Sequence, residues 1–116
     1  MTSLEKAIAA AKILDTKKAE QIEVLEIREI SQLGDYFVLA TGTSNTHVAA
    51  LSDELEFKMG ELGVKPDHIE GHGSNTWILQ DFGDVIVHIF TKESRTFYDL
   101  DRLWQDGKKI AVAFEE

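Results

Sequence analysis

The chain has 116 residues, 43% of them apolar and 28% charged, with a formal net charge of −9 and no cysteine. That describes one soluble globular domain, long enough to bury a core without disulfides or thiolate metal sites. The acidic balance argues against wrapping bare nucleic acid, because each phosphate contact needs Lys or Arg.

Thr2-Ser3-Leu4-Glu5 has capping-box spacing, and it predicts a helix from Ser3 to Thr16 with Leu4, Ile8, Ala11 and Leu14 on its inner stripe. "IEVLEI", residues 22 to 27, is rich in β-branched residues and predicts a strand. "DYFVLATG", residues 35 to 42, is almost continuously apolar and predicts a strand buried on both faces. Asn45 is the expected N-cap of a second helix, in which Val48, Leu51, Leu55, Met59 and Leu62 recur at helical spacing. Gly63 and Pro66 end it. "HIEG", residues 68 to 71, predicts a short strand before the loop "HGSN".

"TWILQ" and "DVIVHIF" are two further strands joined at Asp81-Phe82-Gly83-Asp84. Asp-Phe-Gly holds magnesium in protein kinases, but a glycine-rich loop and a catalytic loop must precede it there. Neither does here, so the tripeptide reads as a hairpin turn. "ESRTFYDLDRLW" follows as short helical turns anchored by Phe97, Tyr98, Leu100, Leu103 and Trp104. The expected architecture is α/β, on the border with α+β: a mixed five-stranded sheet with flanking helices. One more strand over residues 110–114 is left open, in a tail of unassigned role from residue 105.

Several residue groups invite chemistry. His68 and His72 lie four apart around Glu70, but in a glycine-containing strand and loop rather than on a helix. His88 stands in an apolar strand and reads as a core histidine with a backbone hydrogen bond. Gly42-Thr43-Ser44 joins a strand to a helix, where amide groups can bind an anion. A metal-dependent nucleotidyl- or phosphotransferase would need two carboxylates one residue apart on the next strand. Asp53 and Glu54 instead fall on the helix, and Glu70 is alone. Trp77, Leu79 and Asp81 share the strand face opposite Ile78 by alternation. Trp77 is then either core filler or a surface aromatic beside carboxylates, the composition of a binding hot spot.

The ordered set "DYFVLATGTS", "HIEG", "WILQDFGDVIVHIF", Arg95, Tyr98 and "LDRLW" resembles the ribosomal silencing factor family, also called the Iojap family. The resemblance runs over residues 1–104 and leaves 105–116 as a C-terminal tail. It implies a nucleotidyltransferase-like fold without catalytic residues, no cofactor and no bound metal. It implies docking on the large ribosomal subunit through one basic protein, number fourteen in the universal scheme, which blocks small-subunit joining and represses translation when nutrients are short. On the matching positions, Glu70, Trp77, Asp81, Asp84 and Tyr98 are the expected contacts, while Arg95 and Trp104 have a structural alternative. No membrane and no sequence-specific nucleic acid is expected, and the expected compartment is the cytoplasm. The rivals are the transferase above and a homodimeric scaffold paired through an exposed strand edge.

Overall fold

The computed structural model describes residues 1–114, apart from the side chains of Leu100 and Leu103. Helix α1 runs Ser3–Thr16 and opens with the expected capping box: Thr2 Oγ1 accepts from the Glu5 N–H at 3.1 Å, and Glu5 Oε1 accepts from the Thr2 N–H at 2.8 Å. Its inner stripe differs from expectation. Ala7, Ala10, Ala11 and Leu14 are buried, whereas Leu4 is exposed and Ile8 only half-buried. Ala11 and Leu14 are inward as expected, while three alanines on that side allow close approach to the sheet and leave Leu4 and Ile8 on the flank.

Strands β1 (Glu20–Glu26) and β2 (Tyr36–Gly42) follow, then helix α2 (Asn45–Glu61). The N-cap of α2 is Ser44, whose hydroxyl accepts from the His47 N–H at 3.1 Å. Asn45, the expected cap, instead donates its side-chain N–H to the Ser74 carbonyl at 2.9 Å and ties the helix start to a distant loop. Val48, Leu51, Leu55 and Met59 are buried as expected, but Leu62 is the C-cap and stands exposed.

Strands β3 (His68–Glu70), β4 (Trp77–Asp81) and β5 (Val85–Thr91) complete the five expected. A sixth, β6 (Lys108–Ile110), corrects the count. It covers Lys108–Ile110 rather than the 110–114 left open, holds a single apolar residue, Ile110, and pairs with Val24 to Glu26 of β1, a long-range contact. The sheet order is β3-β4-β5-β2-β1-β6, parallel at β2/β5 and antiparallel elsewhere. Between β4 and β5, Gly83 has φ 89° and its N–H donates to Asp81 Oδ1 at 2.7 Å. This is an Asx-type turn, so Asp-Phe-Gly serves chain reversal here.

Alternation gives the sheet two faces. On one, α1 and α2 cover Val24, Val38, Ala40, Ile78, Val87 and Ile89. Each valine or isoleucine among them contributes about 1.5–3 kcal/mol when fully buried. Gln80 also points there, and its amide donates to the Ser52 carbonyl and hydroxyl at 2.8 and 2.9 Å. The other face carries Leu25, Phe37, Leu39, Ile86 and Phe90. Helix α3 (Lys92–Tyr98) follows β5 and packs against β5 and β2, and α4 (Leu100–Leu103) packs against α3.

Candidate docking face

Cross-strand register lays out the less covered face. Trp77, Leu79 and Asp81 of β4 stand opposite Phe90, His88 and Ile86 of β5, and Leu79 and Asp81 stand opposite Glu70 and His68 of β3. The expectation that Trp77, Leu79 and Asp81 share a face away from buried Ile78 is met. Together with Leu33, Phe37 and Trp104, these side chains other than Phe90 enclose an open groove of about 400 Å³ with aromatic and aliphatic walls. Glu70 and Asp81 are the carboxylates at its side, and among the described residues neither Lys nor Arg lines it.

Trp77 sits between the two roles open to it. It is half-buried, with its ring 6.4 Å from Phe90 and 5.1 Å from Tyr98. Tyr98 is 50% exposed and meets Phe97, which is 80% exposed, edge-on. An aromatic ridge thus runs Phe97, Tyr98, Trp77, His88, Phe37, Trp104. The expected anchoring role of Phe97 and Tyr98 is corrected by their exposure. They lie at the end of the seven-residue α3, before the left-handed Asp99, and project outward. Trp104 does pack inward, edge-on to Phe37. The expectations for the Leu100 and Leu103 side chains fall outside the described residues.

Glu70, Trp77, Asp81 and Tyr98 therefore gather on one face. Asp84 does not join them. Its carboxylate pairs with Lys6 of α1 at 3.0 Å, at the far end of the hairpin turn. Asp81 is also part of the turn, where its Oδ1 accepts the N–H of Gly83. Glu70 holds His68 Nε2 at 2.6 Å. Leu33, 60% exposed at the groove wall, was not singled out in the sequence, and Phe97 was read there only as an inward anchor. The signal available was "TFYDL": two adjacent aromatics on one short helical turn cannot both face the core.

His88 is buried, but its bond is not to the backbone as expected. Its Nδ1 accepts the Trp77 indole N–H at 3.1 Å, a partner that alternation across two strands supplies. Burial in an apolar setting pulls its pKa down to about 4, so the ring is neutral at pH 7. Arg95 takes the structural alternative. It is 6% exposed and donates to Thr41 Oγ1 at 2.9 Å, to the Gln21 carbonyl at 2.8 Å and to both oxygens of Asp101 at 2.7 and 2.9 Å. Those bonds from Arg95 hold the Asp101 carboxyl below its usual range.

In the Gly42-Thr43-Ser44 turn the Thr43 amide is engaged within the protein. The Thr43 N–H donates to His47 Nδ1 at 2.9 Å, and His47 Nε2 bonds the Lys17 carbonyl at the end of α1 at 2.8 Å. A Cβ on Gly42 would meet Val48 Cγ2 at 2.8 Å, so this glycine permits close packing of strand on helix. Among the described residues, no three or more His, Asp or Glu side chains converge as a metal site. Nor is any helix among them long and apolar enough to cross a membrane.

The model of the family "Ribosomal silencing factor during starvation" matches residues 1–116. The chain belongs to the ribosomal silencing factor family. It is 39% identical to ribosomal silencing factor RsfS of Bacillus subtilis over 90% of this chain and 89% of that one. It is 36% identical to the RsfS of Halalkalibacterium halodurans over 97% and 96%. The crystal structure of a Chromobacterium violaceum protein superposes with a TM-score of 0.88 at 35% identity, covering 97% of this chain and 93% of that one. The silencing-factor match takes in the segment after residue 104, where β6 joins the sheet.

Proposed function

We propose that this protein silences ribosomes by occupancy. It docks through the groove face on the large subunit, on the basic protein numbered fourteen, and its bulk then blocks the small subunit. The observation that carries this reading is the unfinished sheet face, where half-buried Trp77 continues into exposed Tyr98 and Phe97 and where, among the described residues, Glu70 and Asp81 line the groove without Lys or Arg. A surface of exposed aromatics rimmed by charge of one sign fits a partner with apolar anchors and opposite charge. Trp77 and Tyr98 are the aromatic contacts, and Glu70 and Asp81 meet Lys or Arg. Asp84, engaged by Lys6, contributes to the fold rather than the contact.

The net charge of −9 supports a protein target over ribosomal RNA, which would repel it. Silencing needs no turnover, and a patch of roughly 800 Å² per partner suffices. In this reading the protein acts in the cytoplasm without a cofactor and is not an enzyme. The homodimeric scaffold has no specific contact in its favour. Sucrose-gradient sedimentation tests the proposal. The protein should travel with free large subunits and stay out of the small-subunit and joined-ribosome fractions. Migration at the top of the gradient at every subunit concentration overturns it.

A further inference from the structure

Trp77 is an anchor whose orientation is set from beneath. Its indole N–H points inward to His88 Nδ1 at 3.1 Å. Because Nδ1 accepts, the ring proton of neutral His88 lies on Nε2, which has no hydrogen-bond partner. The imidazole has little freedom to leave this arrangement. It is 6% exposed, edge-on to Phe37 at 4.8 Å, and flanked in register by Leu39 and Leu79. Trp77 is clasped in turn by Phe90 beneath and Tyr98 beside it.

We propose that His88 is a positioning residue for docking: its Nδ1 holds the Trp77 indole with the N–H turned inward, so that the anchor offers a partner its apolar ring in a preset orientation. This rests on the reading of Trp77 as a docking contact. Two consequences follow. The partner surface over Trp77 is apolar and owes it no hydrogen-bond acceptor, since the indole donor is already used. And the ordering of a large side chain, ordinarily a cost of association, is met when the protein folds.

Substitutions at position 88 separate positioning from mere packing. His88→Leu keeps an apolar bulk but removes the acceptor. His88→Asn keeps an acceptor oxygen near the place of Nδ1. His88→Gln carries its amide further out, past the reach of the indole. The readouts are the Trp77 Nε1–H resonance of the free protein and the affinity for large subunits, with thermal melting as the check on folding. His88→Leu and His88→Gln should shift that resonance and bind about tenfold more weakly, while His88→Asn should stay within about threefold of the parent. Should the leucine variant not fold, the glutamine and asparagine pair carries the same contrast. The proposal is overturned if His88→Gln displaces the indole resonance yet binds like the parent while Trp77→Ala binds weakly. If Trp77→Ala itself binds like the parent, the docking role of Trp77 falls, and this inference with it.

Discussion

The two faces of one sheet have been finished differently. On the first, α1 and α2 seal the strands completely, and Leu14, Val38, Leu51, Leu55 and Met59 have no exposed surface. Even its polar residue, Gln80, is held by two hydrogen bonds from its amide nitrogen. On the second, the short helices α3 and α4 reach only part of the way, leaving a groove with Trp77 half-buried and Tyr98 and Phe97 exposed. The same strands supply both faces, so the contrast lies in what covers them. A face closed by helices serves stability, and in the proposed function the face left open with aromatics beside carboxylates is the contact surface.

Changes that break this division rank by how much they remove. Truncating the sealed face costs most. Leu55→Ala should lower stability by about 3 kcal/mol, or on the order of 10 °C in melting temperature. Large-subunit affinity per folded molecule should be unchanged. A calorimetric melt paired with a binding titration checks both halves.

Acid attacks the buried part of the open face. An unfolded histidine titrates near 6.5, whereas His88 takes up its proton only near pH 4 because burial disfavours the charge. The folded pKa is depressed, so stability from this group is full above about 6.5, declines as pH falls towards about 4, and then levels. The whole effect is about 3 kcal/mol. Urea midpoints from pH 7 to pH 4.5 should fall more steeply in the parent than in His88→Asn, a comparison that cancels the other titrating groups, among them His68, Glu70 and Asp81 around the groove.

On the exposed part, Trp77→Ala should do the reverse of Leu55→Ala. We expect a largely intact fold and a loss of about 2 kcal/mol in binding, roughly thirtyfold. Collapse of the near-UV circular dichroism would move Trp77 from contact to core. Charge should act on rate. Glu70→Lys with Asp81→Lys should slow association at low salt, and the difference should shrink as the Debye length falls to ~8 Å at physiological ionic strength. Stopped-flow binding at two salt concentrations measures it. The smallest effect belongs to Asp84→Asn, which removes the partner of Lys6. A partly exposed ion pair is worth ~1 kcal/mol or less, so a small drop in melting temperature with unchanged binding is expected.

Local signals carried most of the fold. The capping box, the apolar strands, the helical spacing of α2 and the Gly83 turn all act within a few residues, and all appear where the sequence places them. What depended on distant partners was not legible. The alanine stripe of α1 makes sense only once a sheet lies against it. Asp84 looks like any turn carboxylate until Lys6 is found 78 positions away. His47 joins the β2–α2 turn to the end of α1 across 30 residues, and nothing in "NTHV" announces that. For the site, alternation brought Trp77, Leu79 and Asp81 together correctly. Exposure of Phe97 and Leu33 was hidden because apolar residues read as core until the covering helices are seen to stop short.

The central claim is that occupying the open face is enough to silence a subunit. Light scattering of subunit association reports on it directly. Large subunits pre-incubated with the protein should lose joining amplitude in proportion to added protein, saturating near one molecule per subunit, while already joined ribosomes resist. Joining at full amplitude in the presence of a large molar excess would contradict the account.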